Sequence, residues 1–272
     1  MTTTAHSNEA RSARRRALVT GASTGIGAAF AERLARDHYD LVIVARSRDR
    51  LDILAERLRK ARHVHVEVLP ADLTRPADLR RVEEHVVHDR HLELLVNNAG
   101  FGTVGSFAEL DADKEEEEIR LNVLALVRLT RAALPGMIAR GQGGIINVSS
   151  LSGFQPGPYT ATYGATKAFV NSFTEALCEE LRGTGVKVQA LCPGFTRTEF
   201  QQRAGLDVST IPSFAWMSPE VVVDASLAAL ERDQVICVPG LGNRLLATLG
   251  STSPRRIAGR ILGAVMKRTG SR

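Results

Sequence analysis

Short runs of Val, Ile and Leu alternate along the chain with longer stretches in which apolar positions recur every three or four residues. The runs predict strands at 17–20, 40–45, 64–69, 92–96, 144–148, 186–191 and 235–238. They are nearly continuous in apolar residues, as parallel strands covered on both faces must be. The stretches between them predict helices near 25–37, 48–61, 76–89, 112–140, 159–183 and 218–232. The last has a clear start, because Ser218 offers a capping hydroxyl, Pro219 suits the first helical turn and Glu220 adds an early acid. Strand and helix in regular alternation predict one α/β domain, a doubly wound parallel seven-stranded sheet with helices on both faces, Rossmann-like. The expected layout is a polar leader over 1–15, this domain over 16–240 and a basic tail over 241–272. No repeat or low-complexity linker interrupts it.

Composition changes this picture little. The chain has 272 residues, of which 44% are hydrophobic and 24% charged, the balance of a globular domain large enough to bury a core. No stretch of 18 uninterrupted apolar residues predicts a membrane span. Three well-separated cysteines (Cys178, Cys192, Cys237) suit neither a disulfide framework nor a metal site, so no metal is expected and a reducing, cytoplasmic compartment is. The net charge of +5 is more informative once located. Seven basic residues and no acid lie between Gln234 and Arg272. The other 233 residues carry 28 basic and 30 acidic side chains. The fold itself is therefore slightly acidic, and no nucleic-acid-binding signature accompanies the basic ends. Arg14–Arg16 precede too short an apolar run for a signal peptide.

The first strand runs into TGASTGIG, Thr20 to Gly27, and then into a helix. Glycines at such a turn let backbone approach a pyrophosphate, held by free N–H groups at the helix start. Gly21, Ser23, Thr24, Gly25, Ile26 and Gly27 are the candidate cofactor contacts here. A tight strand–helix connection would also use glycines, so the next strand end matters. A reader of an unphosphorylated ribose needs an acid there, but the chain has Arg46 and Ser47. A guanidinium favours a 2′-phosphate through charge-assisted bonds, which predicts NADP(H) over NAD(H). The bland alternative is a solvated basic loop with Arg50 paired to Asp49 or Asp52.

Tyr163 and Lys167 stand one helical turn apart, on one face. A phenol titrating near 10 is a poor proton donor–acceptor at neutral pH, and an ammonium beside it favours the phenolate. Chance pairing on a surface helix is the competing reading. Ser150, however, ends the strand thirteen residues earlier, at the carboxyl edge where ligands of such sheets bind.

With these motifs in register, the sequence resembles the short-chain dehydrogenase/reductase family, in its single-domain branch, over roughly 16–239. The motifs are TGASTGIG, Asp72-Leu73, Asn97-Asn98-Ala99-Gly100, Asn122, Ser150, Tyr163 with Lys167, and Pro193-Gly194 with Thr198. It is similar to bacterial ketoacyl-reductase-like and 17β-hydroxysteroid-dehydrogenase-like members. The resemblance implies that Tyr163 is the acid or base and Ser150 hydrogen-bonds the carbonyl oxygen. It further implies that Lys167 holds the nicotinamide ribose and tunes Tyr163, and that Asn122 holds a water linking Lys167 to solvent. Asp72 and Leu73 would meet the adenine, and Asn98 its ribose. Pro193, Thr196 and Thr198 would hold the carboxamide. It also implies a homodimer or homotetramer built on the helices holding Asn122 and Tyr163.

The family places a substrate lid at 199–217, which here carries Phe200, Phe214 and Trp216. With Phe101, Leu151 and Phe154 they are candidate walls of an apolar pocket, or equally the packing of an excursion onto the core. The expected activity is NADPH-dependent reduction of an apolar ketone or aldehyde, run backwards as oxidation of a secondary alcohol. The alternative from another class is a catalytically silent NADP(H)-binding sensor or scaffold, which would not need Ser150. An epimerase or a methyltransferase fits the glycine spacing or the Tyr–Lys pair less well. In the tail, Ile257, Ala258, Ile261, Leu262 and Val265 fall on one helical arc opposite Arg256, Arg260 and Lys267. That pattern predicts either peripheral contact of 254–268 with anionic lipid or packing on protein.

Overall fold

A computed structural model describes residues 15–206 and 211–252. Seven strands form one parallel sheet: β1 (Arg16–Thr20), β2 (Asp40–Ala45), β3 (Val66–Pro70), β4 (Leu92–Asn97), β5 (Gly143–Val148), β6 (Val186–Leu191) and β7 (Ile236–Cys237). Their order is β3-β2-β1-β4-β5-β6-β7. The order reverses between β1 and β4, so the crevice beyond the carboxyl ends of those two strands is the expected ligand position. The inner strands are almost wholly buried, while edge strand β3 is half-buried after Val66. Leu18, Val19, Val42, Ile43, Leu95, Val96, Ile145 and Ile146 are each 0% exposed, and they feed two separate cores, one on each face.

The helices are α1 (Gly25–Arg36), α2 (Arg48–Arg62), α3 (Pro76–His88), α4 (Ala112–Arg140), α5 (Ala161–Glu180), α6 (Phe200–Arg203), α7 (Pro219–Glu231) and α8 (Leu241–Thr252). Some ends differ from expectation for local reasons. The third strand starts at Val66 because the N–H of His65 bonds the Asp40 carboxylate, off the ladder. The last strand shrinks to two residues, since β6 offers it only Ala190 and Leu191. Helix α5 begins at Ala161 because Tyr159 is left-handed (φ 67°).

Helix α4 contains a wide π turn over Arg120–Ala125, a distortion frequently found at functional sites. By length and composition α4 would pass as a membrane span. Here Ala125, Leu129, Ala133 and Met137 are buried, packed into one of the two cores.

Helix α8 occupies the start of the segment 241–272. Ala247 is buried in a small core with Leu151 and Phe154, and Asn243 donates to the Pro239 carbonyl. The membrane-contact reading of 254–268 and the leader over 1–14 lie outside the described residues.

Candidate active site

The glycine turn is built as a backbone cradle. Gly21 and Gly25 have positive φ (66° and 57°), which a β-carbon would strain. A β-carbon on Gly27 would come within 2.3 Å of the Gly21 carbonyl oxygen, so no side chain fits there. Asn98 ties this turn to the end of β4 by donating to the carbonyls of Thr20 (2.8 Å) and Gly21 (3.2 Å). Thr20 Oγ1 accepts from the N–H groups of Asn98 and Ala99. At the start of α1, Thr24 makes no side-chain capping bond. The first-turn N–H groups therefore remain available to an anion.

Around this cradle the other sequence-predicted cofactor residues take varied positions. Arg46 and Ser47 are exposed at the end of β2, and no ion pair or hydrogen bond is found for Arg46 among the described residues. Arg50 pairs with neither Asp49 nor Asp52. It reaches Glu199 on the lid, at 3.0 and 3.1 Å. Asp72 turns one oxygen back on Thr74, whose hydroxyl and N–H donate to it. Leu73 is buried in the core. Thr196 is buried, and Thr198 packs on the Gly25 position. Pro193, which follows β6, accepts from the Leu151 N–H through its carbonyl.

Beyond β5, Ser149 and Ser150 diverge as neighbouring strand residues do. Ser149 is buried and donates to the Lys167 carbonyl (3.0 Å). Ser150 stands beside the Tyr163 phenol. The Lys167 ammonium lies 5.6 Å from the Tyr163 ring centre and donates to the Val148 carbonyl (2.8 Å). Burial pushes the phenol up to about 12, opposed by a hydrogen bond with Ser150 and reinforced by Glu118. Burial pulls Lys167 down to about 8, opposed by Glu118 and Cys192. Asn122 sits in the π turn, where its side chain clamps Phe101, accepting from the N–H (3.1 Å) and donating to the carbonyl (2.8 Å). Its amide also donates to Thr166 Oγ1 (3.2 Å).

The six candidate pocket residues do not stay together. Phe200 stacks obliquely on Tyr163, with ring centres 5.5 Å apart. Leu151 and Phe154 pack on a small core beyond β6, and the Phe101 backbone is fixed by Asn122. Trp216 instead packs on Phe195 and under Arg197. It lines a cleft of about 750 Å³ with Thr24, Gly25, Thr198 and Gln202. Phe214, expected in a pocket wall, stands 88% exposed on a short turn.

Two residues of this region were missed. Glu115 and Glu118 are buried on α4, two turns and one turn before Asn122 respectively. Their shared face with Asn122, in an otherwise solvated run of charges, was the available signal.

Comparison with known proteins agrees with this geometry. A family profile described as short chain dehydrogenase matches residues 15–208. Among solved structures, a short-chain dehydrogenase from Sphingobium yanoikuyae in complex with NADPH superposes with a TM-score of 0.81 and 44% identity. That match covers 87% of this chain and 93% of that one. A bulky-bulky ketone specific alcohol dehydrogenase from Comamonas testosteroni gives a TM-score of 0.76 and 35% identity, covering 93% of each chain. A very-long-chain 3-oxoacyl-CoA reductase of Anas platyrhynchos is 32% identical over 220 residues, which are 79% of this chain and 68% of the relative.

Proposed function

The chain belongs to the short chain dehydrogenase family of oxidoreductases, and from that premise we propose that it reduces an apolar ketone or aldehyde with NADPH. The observation that carries this reading is the convergence of Ser150, Tyr163 and Lys167 beside the crevice where the sheet order reverses. A silent dinucleotide sensor would have no use for Ser150 at the phenol.

The coenzyme fits the residues present. The cradle of Gly21, Gly25 and Gly27 admits only backbone, the uncapped start of α1 suits a pyrophosphate, and exposed Arg46 and Ser47 suit a 2′-phosphate. A bound NADPH would supply the hydride. The protein's own work is then proton and charge management. Ser150 donates to the carbonyl oxygen as negative charge develops on it. Tyr163 gives its phenolic proton to that oxygen, and Lys167 holds a positive charge beside the phenolate left behind. Incubating the protein with NADPH and ketones graded by chain length tests the reading. Coenzyme absorbance should fall fastest with bulky apolar ketones, and a protein that binds NADPH but consumes none with any of them would be the silent alternative.

The two serines separate role from proximity. Ser150→Ala should lower turnover by about 10²-fold, the scale for losing one donor to a developing oxyanion. Ser149→Ala removes only a bond to the Lys167 backbone and should matter less. The reverse order in steady-state kinetics would mean that the wrong hydroxyl has been assigned.

Assembly and tail follow the same reading. Ile119, Leu124 and Phe169 on α4 and α5 are exposed, an apolar patch suited to pairing copies of the chain, so light scattering should report a dimer or tetramer at micromolar concentration. The unpaired cysteines suit a cytoplasmic compartment. The basic tail should bring the protein to anionic vesicles at low salt, each basic group contributing on the order of 1 kcal/mol. Deleting 254–272 should abolish that binding and spare activity on a soluble ketone. No binding to anionic vesicles at low salt, or unfolding on deletion, would make the tail a packing element.

A further inference from the structure

Glu118 is fully buried (0% exposed) and no cation is paired with it among the described residues. Its Oε2 accepts from both the N–H and the hydroxyl of Thr103, each at 2.8 Å, while its buried Oε1 has no hydrogen-bond partner. Desolvating such a group is costly, so its position needs a reason. The segment it holds supplies one. Residues 100–103 run along the active site and are gripped at alternate points by two side chains of one helix face. Asn122 holds Phe101, and Glu118, four residues earlier, holds Thr103. Gly102 lies between these grips against the Tyr163 ring. A β-carbon there would come within 2.8 Å of that ring and 3.3 Å of Phe200. Gly100 similarly faces Asn122 Oδ1 and the Lys167 ammonium. Glu115, one turn before Glu118, is hydrogen-bonded by Thr162, the residue preceding Tyr163. The two acids thus fasten the wall of the site on both sides of the phenol.

Resting on the reading of Tyr163 and Lys167 given above, we propose that Glu118 is a positioning residue of the reaction. Its carboxylate pins Thr103 so that Gly102 backs the Tyr163 ring, and its buried negative charge keeps the Lys167 ammonium charged.

The ionisable groups that face one another here are Glu115 and Glu118 from α4, Tyr163 and Lys167 from α5, and Cys192 after β6. Burial raises Glu118, and the two bonds from Thr103 hold it down. Glu118 raises both Lys167 and Tyr163, as an anion in a poorly screened interior must. For the lysine this opposes burial, which by itself would discharge it. With Lys167 already lowered to about 8, loss of the anion carries it further toward neutrality at physiological pH.

The test is Glu118→Gln in the full chain, which keeps an acceptor for Thr103 and removes the charge. Lysine side chains are isotopically labelled, the Lys167 signal is assigned by its loss in Lys167→Arg, and its titration is followed by NMR. The wild-type midpoint should lie near 8, and in Glu118→Gln it should fall by about one pH unit. The alkaline limb of the turnover profile should move the same way, since early loss of charge on Lys167 and early loss of the Tyr163 proton act together. Glu118→Asp keeps the charge but withdraws it from Thr103, so it should keep the lysine midpoint and lose kcat. It also serves if the glutamine variant does not fold. An unchanged Lys167 midpoint in a folded Glu118→Gln protein overturns the electrostatic role, and unchanged kcat in Glu118→Asp overturns the pinning. If the midpoint moves while wild-type protein reduces no ketone, the proposed function fails and the charge coupling stands.

Discussion

Tyr163→Phe should reduce turnover by about 10²-fold or more, the usual yield of general acid catalysis, while leaving NADPH binding intact. The substitution removes one oxygen. The phenylalanine ring fits the same slot between Gly102 and Phe200, and the glycine cradle is built from β1 and α1, away from the change. Steady-state kinetics on a soluble ketone, with a parallel NADPH titration, reads both halves of the expectation. Turnover near wild type would remove Tyr163 from the chemistry.

Arg46→Asp should weaken NADPH binding by a few kcal/mol, since it removes a charge-assisted contact to the 2′-phosphate and adds repulsion. NADH should gain relative to NADPH, because an acid at this position accepts from a 2′-hydroxyl. Arg46 is exposed and makes no bond that the fold needs among the described residues, so stability should change little. Parallel titrations with both coenzymes decide the matter. A wild-type protein that prefers NADH would overturn the assignment of this loop.

The sheet was legible because its inner strands are buried on both faces and are written as nearly continuous apolar runs. The order of glycine turn, Arg46, Asn98, Ser150, Tyr163 and Lys167 was legible because each lies at a strand end or within one helical turn of another. Tertiary contacts were not. The nearest acids to Arg50 in sequence are Asp49 and Asp52, the bland alternative's partners, yet it crosses to Glu199, 149 residues away. The aromatic content of the lid suggested one pocket, but Phe200 reaches Tyr163, Trp216 turns to Phe195 and Phe214 faces water. Aromatic residues on an irregular segment have no periodicity to say which way they point. Glu118 lay inside a run of four consecutive glutamates that reads as solvated surface. Its burial follows from the packing of α4 against α5 and the 100–103 segment, which no local pattern encodes. Helix α8 is held by distant residues, Ala247 in a small core with Leu151 and Phe154 and Asn243 against Met217.

Hydride transfer to a carbonyl carbon is the event from which every assignment above descends, and isotope labelling measures it directly. The wild-type protein is incubated with an apolar ketone and NADPH deuterated at its transferable position, and the product is analysed by mass spectrometry and NMR. The predicted result is an alcohol with one deuterium at the carbinol carbon for each coenzyme oxidised, formed about 10²-fold more slowly by Tyr163→Phe. Coenzyme that binds saturably yet leaves every ketone unlabelled and unreduced would contradict the account.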